Sequence, residues 1–233
     1  MRNIQIPAAM LSNYNQIEDI TDQLPHHPTK VYKLTEIEKK DVIVIHHTAQ
    51  YAPLQSHAAY HVNSHGWPGI GYHLMLSDDR LYQVNDLRAE SYHTKDHNNH
   101  TIGICINADL SKRSITDRER EMLAVAIITV KSLVPTIKAV VPHNALVATS
   151  CPCTSVPAIL EVVQKIEQEM AHAQSPQKKE EMAYRVANEL LYLYSMSKGK
   201  DSFGKEVNEQ QKVWAQNRLL TLVPEMQRLG FLK

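Results

Sequence analysis

The chain of 233 residues has few glycines, few cysteines and no net charge. Lys+Arg and Asp+Glu balance at 25 each, which excludes a nucleic-acid binder working by bulk electrostatics, although local basic patches stay open. Only three cysteines occur, Cys105, Cys151 and Cys153, too few for a disulfide framework. The last two lie too close in sequence to read as a structural bridge, and the set fits synthesis in a reducing compartment. No run approaches the roughly 18–20 apolar residues of a membrane helix, so no membrane insertion is expected. The first residues, MRNIQIPAAMLSNYNQ, lack the apolar stretch of a signal peptide. The expectation is a soluble protein made in the cytoplasm, which needs a separate release step to act outside it. The rest of the composition, 43% apolar and 21% charged, is ordinary for a globular chain with one good core and a small appendage.

Against those absences stand 13 histidines, and three of the seven glycines crowd together at Gly66, Gly69 and Gly71. Residues 31–34 read as a short strand. VIVI at 42–45 is a continuous apolar run, the pattern of a central strand buried on both faces. Residues 54–65 suit a helix ended by Gly66. GWPGIGYHLML then leads into a strand at about 71–76, and a turn at 77–80 returns the chain as a hairpin strand at 81–84. TIGICIN, 101–107, is another buried strand. Thr116 and Glu119 form a capping box that opens a helix running to 134. A strand at 137–141 and a helix at about 155–171 follow.

After Ala173 the texture changes. QSPQKK has the composition of a linker. Two amphipathic patterns, 177–197 and 205–228, flank the stretch from 199 to 204. The first carries Met182, Val186, Leu190, Leu191, Leu193 and Tyr194, the second Val213, Leu219, Leu220, Leu222, Val223 and Met226. The fold class expected is α/β: a mixed central sheet flanked by helices over residues 1–174, with a C-terminal α-helical hairpin over 175–233. The hairpin either packs on the first unit, pairs with another copy as a homo-oligomer, or targets a wall or partner; nothing in its residues names a ligand.

The chemistry begins at VIVIHHTA, 42–49, where a buried strand ends in two imidazoles. A second element, PHNALVATSCPC at 142–153, sets His143 and Cys151 eight positions apart after another strand. Imidazole and thiolate are good zinc ligands, but this is neither the tight CxxC spacing of structural zinc nor HExxH on a helix. Sites in open α/β sheets assemble at strand ends. One imidazole of the strand-end pair, His46, together with His143 and Cys151, makes three ligands and leaves a fourth position open, the arrangement of a catalytic metal.

Taken in order, VIVIHHTA, GWPGIGYH, NNHTIGIC and PHNALVATSCP resemble the zinc-dependent N-acetylmuramoyl-L-alanine amidases, the type 2 group that includes short phage lysozyme-type amidases and peptidoglycan recognition proteins. The resemblance covers roughly residues 40–170. It implies Zn²⁺ held by His46, His143 and Cys151, and hydrolysis of the amide between N-acetylmuramic acid and L-alanine. It implies Tyr72 beside the attacking water and Thr149 at the substrate carbonyl or its oxyanion. His93 and Asn98 match positions near the substrate. Some members carry a glutamate as general base in the strand after Ile-Gly-Ile. Here that position is Cys105, so the chain resembles the tyrosine-dependent branch. The partner implied is peptidoglycan or a muropeptide. The setting expected is a phage or prophage endolysin; a cytoplasmic amidase recycling wall fragments and a non-catalytic binding module are the alternatives.

Other residues keep plainer readings. His47 caps the strand and bonds backbone. His73 is expected on the sheet face opposite Tyr72, packed or at the surface. Cys153 is a bystander and Cys105 a small buried apolar residue. Trp67 either lines the substrate groove or packs under the glycine loop. The leaving amine needs a proton from a source the sequence leaves open, His93 among the candidates.

Overall fold

In the computed structural model, which describes residues 1–173, 176–201 and 204–228, the chain divides into two compact units, Met1–Met170 and Ala171–Lys233. The first unit is built on six strands: β1 (Glu18–Asp19), β2 (Val42–His47), β3 (Leu74–Ser77), β4 (Arg80–Gln83), β5 (Thr101–Ile106) and β6 (Ala139–Pro142). They lie in the order β1-β4-β3-β5-β2-β6. β2 runs parallel to both β5 and β6, and β3 runs parallel to β5. β3 and β4 form the antiparallel hairpin. The sheet is therefore mixed, as expected. The hairpin turns on Asp78 and Asp79, at φ of 51° and 57°, the left-handed pair a two-residue hairpin demands.

The two faces of the sheet follow from the period of two. Ile43, Ile45, Leu74, Leu76, Ile102, Ile104 and Ile106 share a core with α2 (Asp117–Leu133) and α3 (Val156–Ala173). Met75, Val84 and Cys105 face the other way, onto Leu54 and Ala58 of α1 (Leu54–His65) and onto Ile70. β2 continues two residues past its apolar run because His46 and His47 still pair with Cys105 and Ile106 of β5. Alternation then places His46 on the α1 face and His47 on the α2 face. α1 stops where Gly66 turns left-handed at φ 63°. α2 starts on the expected box, with Glu119 N–H donating to Thr116 Oγ1 at 3.1 Å and Thr116 N–H donating to Glu119 Oε2 at 2.9 Å.

Two expectations in this unit need correction. Residues 31–34 form no strand; Leu34 makes an isolated bridge to Ala89. The strand expected from 71 begins at Leu74; Tyr72 breaks the alternation by packing on the same face as Met75, while the His73 N–H still donates to Gly103 O and its carbonyl accepts the Val84 N–H. His73 is buried in the same group of rings as His46 instead of facing away from it.

The second unit contains α4 (Pro176–Ser197) and α5 (Glu209–Arg228). The start of the QSPQKK linker, residues 174–175, lies outside the described residues. Leu193, Met196, Ala215, Leu222 and Met226 form the hairpin's own small core. Leu191, Tyr194, Val213 and Leu220, read from sequence as part of the apolar stripe, are exposed. No described helix is long and apolar enough to cross a membrane.

Candidate metal centre

The ends of β2 and β6 bring together what the sequence holds about a hundred residues apart. β2 delivers His46, and the loop after β6 delivers His143 and then Cys151. One donor atom from each of the three lies within 4.8 Å of the others. Cys151 Sγ stands 3.9 Å from His46 Nδ1. Two ligands at tetrahedral angles, with Zn–N near 2.0–2.1 Å and Zn–S near 2.3 Å, sit about 3.6 Å apart. The Cys151–His46 pair reaches that spacing with a shift of a few tenths of an ångström, and the trio, with donors up to 4.8 Å apart, closes on a zinc ion with shifts of up to about an ångström.

Electrostatics favour the same use. Burial, with His143, His73 and His47 around it, pushes His46 well below the ordinary imidazole range. Burial lowers His143 too. Both rings are thus neutral, the form that binds metal. Burial lifts the Cys151 thiol to about 11, and the His47 backbone N–H, aimed at Sγ from 3.4 Å, opposes that rise. The same N–H is placed to bond a thiolate. The His47 ring points to the other face and accepts the Leu110 N–H at 3.1 Å. The strand-end pair thus divides into one ring that could hold a metal and one residue that clamps backbone and sulfur.

Tyr72 sits beside the trio, its ring centroid 5.4 Å from that of His46. Asn85 fixes the segment by donating to Ile70 O and Tyr72 O at 2.6 and 2.9 Å. Burial and the neighbouring Cys105 and Cys151 hold the Tyr72 hydroxyl well above its ordinary value, so it is a protonated donor at neutral pH. Cys105 is fully buried in register with His46. Thr149 is exposed, and its Oγ1 accepts the Cys151 N–H at 3.2 Å, leaving its own proton free to donate.

The three residues expected to touch substrate are placed differently. His93 is only 6% exposed and lies against His46, with Nδ1 3.1 Å from His46 Nε2. Burial and its neighbours push it well below the ordinary range. It is therefore neither a groove residue nor an accessible acid for the leaving amine. Asn98 serves its own loop, accepting the Thr94 N–H at 2.8 Å. Trp67, half-buried, stacks on His65 at 4.8 Å and meets Tyr92 edge-on at 5.7 Å. It also leans on His61 at 4.8 Å, and His61 in turn meets Tyr72. It packs over Gly71, where a Cβ would stand 3.0 Å from the indole.

Sequence reasoning missed the support beneath the site. Lys40 is fully buried and donates to Ala89 O, Asn98 O and Thr101 O at 2.9–3.0 Å. This stitches the loop carrying His93 to the sheet. His73 accepts the Gly103 N–H on Nδ1 and donates from Nε2 to Ala89 O. Gly103, in the middle of an otherwise apolar strand, was the one available signal: such a glycine marks a close approach.

A family model described as N-acetylmuramoyl-L-alanine amidase matches residues 37–154, half of the chain. Peptidoglycan-recognition protein SC1a/b of Drosophila simulans is 38% identical over 71 residues, 26% of this chain and 38% of that protein. The match thus spans well under half of that relative's length. The Ph2119 endolysin from the Thermus scotoductus MAT2119 bacteriophage Ph2119 aligns with a TM-score of 0.55 at 24% identity, covering 63% of this chain and 98% of that one. The N-acetylmuramoyl-L-alanine amidase LysC from Clostridium intestinale URNW aligns at 0.54 and 21% identity, covering 66% and 99%. At these identities the two structures speak to a shared fold.

Proposed function

The chain belongs to the N-acetylmuramoyl-L-alanine amidase family, and from that premise we propose that it hydrolyses the amide between N-acetylmuramic acid and L-alanine in bacterial peptidoglycan. The observation that carries the reading is the His46–His143–Cys151 cluster, its donor atoms within 4.8 Å of one another, with Tyr72 against it. These three residues would hold Zn²⁺. A zinc ion there supplies Lewis-acid polarisation of the scissile carbonyl.

The chain's own residues do the rest. Tyr72 keeps its proton and orients the attacking water by hydrogen bond, and the proton the water gives up on forming the new C–O bond ends on the leaving amine nitrogen as the C–N bond breaks. Thr149, exposed beside Cys151, donates its hydroxyl to the oxygen that becomes negative in the tetrahedral species. His47 holds the Cys151 sulfur through its backbone N–H. A binding module that does no chemistry has no need of all three donors together with Tyr72, which argues for catalysis over recognition alone.

The setting we propose is lysis by a phage or prophage, the enzyme meeting the wall after release from the cytoplasm. A cytoplasmic enzyme recycling soluble muropeptides would share the chemistry. The two differ in preference for crosslinked sacculi over soluble fragments.

The test is the appearance of new L-alanine amino termini in purified peptidoglycan treated with zinc-loaded protein, against a chelated control. Zinc-dependent release is the expected result. Zinc-replete protein that binds the wall and releases no amino termini would overturn the amidase reading.

A further inference from the structure

The ligand ring His46 does not stand alone. Four imidazoles form a column: His143 to His46 at 4.3 Å between centroids, His46 to His93 at 5.1 Å, His93 to His73 at 5.3 Å. His46, His93 and His73 are buried. Neutral imidazole has one donor and one acceptor nitrogen, so two rings in contact must agree on where their protons sit.

The hydrogen bonds around His93 decide this. Thr101 Oγ1 lies 2.8 Å from His97 O and 3.2 Å from His93 Nε2. A carbonyl only accepts, so the single Thr101 proton goes to His97 O. Thr101 Oγ1 then accepts from His93, and the His93 proton is on Nε2. His93 Nδ1 is left as an acceptor. It faces Thr94 Oγ1 at 2.9 Å and His46 Nε2 at 3.1 Å. Two nitrogen lone pairs facing each other at 3.1 Å would repel, so His46 presents an N–H from Nε2 and shares the His93 acceptor with the Thr94 hydroxyl. Its own lone pair is therefore on Nδ1, the atom 3.9 Å from Cys151 Sγ.

We propose that His93 is a positioning residue that fixes His46 as the Nε2–H tautomer and so aims its Nδ1 lone pair at the metal. A metal-binding histidine commonly gives its second N–H to a carboxylate, a carbonyl or water. Here the acceptor is another neutral imidazole, buried and seated by two threonines. The seat is built for it: a Cβ on Gly103 would come within 2.7 Å of the His93 ring, so only glycine lets the ring lie on β5. Thr94 and Thr101 are fully buried, and the Thr101 hydroxyl, tied to His97 O, turns its oxygen to the ring. A carboxylate in this place would leave a buried negative charge whenever the site is without metal. A neutral ring costs no such charge.

The inference rests on the amidase reading only in taking His46 as a metal ligand. It is tested on the full-length protein without substrate. His93→Leu and His93→Asn remove the ring alike, but asparagine keeps an acceptor oxygen near the position of Nδ1. Zinc affinity, read by competition with a chromophoric chelator, falls about 10–100-fold in His93→Leu. His93→Asn recovers most of that loss. A merely structural role for the ring would affect both variants equally, and equal affinities would overturn the proposal. Should either variant fail to fold, the wild type decides through long-range ¹⁵N–¹H NMR of the metal-free protein. His46 in the Nε2–H form supports the proposal, and His46 in the Nδ1–H form ends it. A wild type that has the Nε2–H tautomer and binds zinc, yet releases no amino termini, overturns the amidase reading and leaves this one standing.

Discussion

Gly103 is bare where the His93 ring lies across β5: an added Cβ would stand 2.7 Å from His93 Cγ and 2.8 Å from Nδ1. The ring cannot retreat easily, since His46, Thr94 and Thr101 hold it on its other sides. A single missing side chain in a central strand thus sets the position of a ring that touches His46.

Gly103→Ala therefore overpacks the site. Destabilisation of about 1–3 kcal/mol is expected from forcing a methyl into a filled core. The displaced His93 would also disturb His46. Thermal melts with and without zinc should show a lower midpoint for the variant and a smaller gain on adding the metal. Melts that match the wild type under both conditions would refute this account of Gly103.

Lys40 is a buried ammonium with three carbonyl acceptors and no carboxylate in contact. Burial lowers it to about 8, so it remains mostly charged at neutral pH. Lys40→Met fills a similar volume without donors and takes the ammonium away from Asn98 O and Thr101 O, while Ala89 O keeps the His73 Nε2–H. Relief of the ammonium's own desolvation offsets part of that cost. A net loss of about 2–4 kcal/mol is expected. Urea unfolding measures it, and hydrogen exchange should locate the loosening in residues 89–101. Unchanged stability would mean that water replaces the ammonium at no cost.

The architecture was legible in the sequence because strong patterns fixed it. VIVI, the Thr116–Glu119 box and Gly66 each have one plausible local structure, and each took it. That His46, His143 and Cys151 come together was legible because strand ends and ligand chemistry agree. The support beneath them was not. Lys40 reads as an ordinary surface lysine beside Lys39, and only the fold shows three carbonyls converging on it. His93 looked like a groove residue because sequence order says nothing about depth. His73 is packed, one of the two readings open to it, but the face opposite Tyr72 was inferred from a period of two that Tyr72 itself breaks by packing with Met75. Leu191 and Leu220 show the reverse error: apolar residues near a helical stripe need not lie on its buried side.

His73 gives a pH dependence of definite sign. Burial, helped by the nearby Lys40, lowers it from the ordinary 6.5 to about 3. Between those values the unfolded chain binds a proton that the folded chain refuses, so stability falls as pH drops through the window. The loss from this ring alone is about 2 kcal/mol between pH 7 and pH 5. His46 and His93 are lowered as well and act in the same direction. Asp19, held at about 2 in the folded state chiefly by Arg2 and the Asn3 N–H against its own burial, begins to cost stability only below about pH 4. Urea unfolding of the metal-free protein at pH 7 and pH 5 should show the histidine effect by itself. A flat profile across that interval would mean that these rings accept protons while folded.

Tyr72→Phe separates metal binding from turnover. The substitution removes one hydroxyl and keeps the ring that packs against His46 and His61. Tyr72 is not a ligand, so zinc affinity should stay within about twofold, far inside the 10–100-fold losses typical of disturbed ligand support. Turnover should fall roughly 10²–10³-fold, the usual cost of losing one preorganised hydrogen-bond donor at the reacting atoms. Cys151→Ser is the contrasting variant, expected to lose zinc and activity together. Because burial keeps the Tyr72 proton in place far above neutrality, its removal should lower the rate evenly across neutral pH without shifting the profile. A Phe variant with full activity would discard the tyrosine. Water orientation would then have to come from another group, Thr149 with its exposed hydroxyl beside Cys151 being the first candidate.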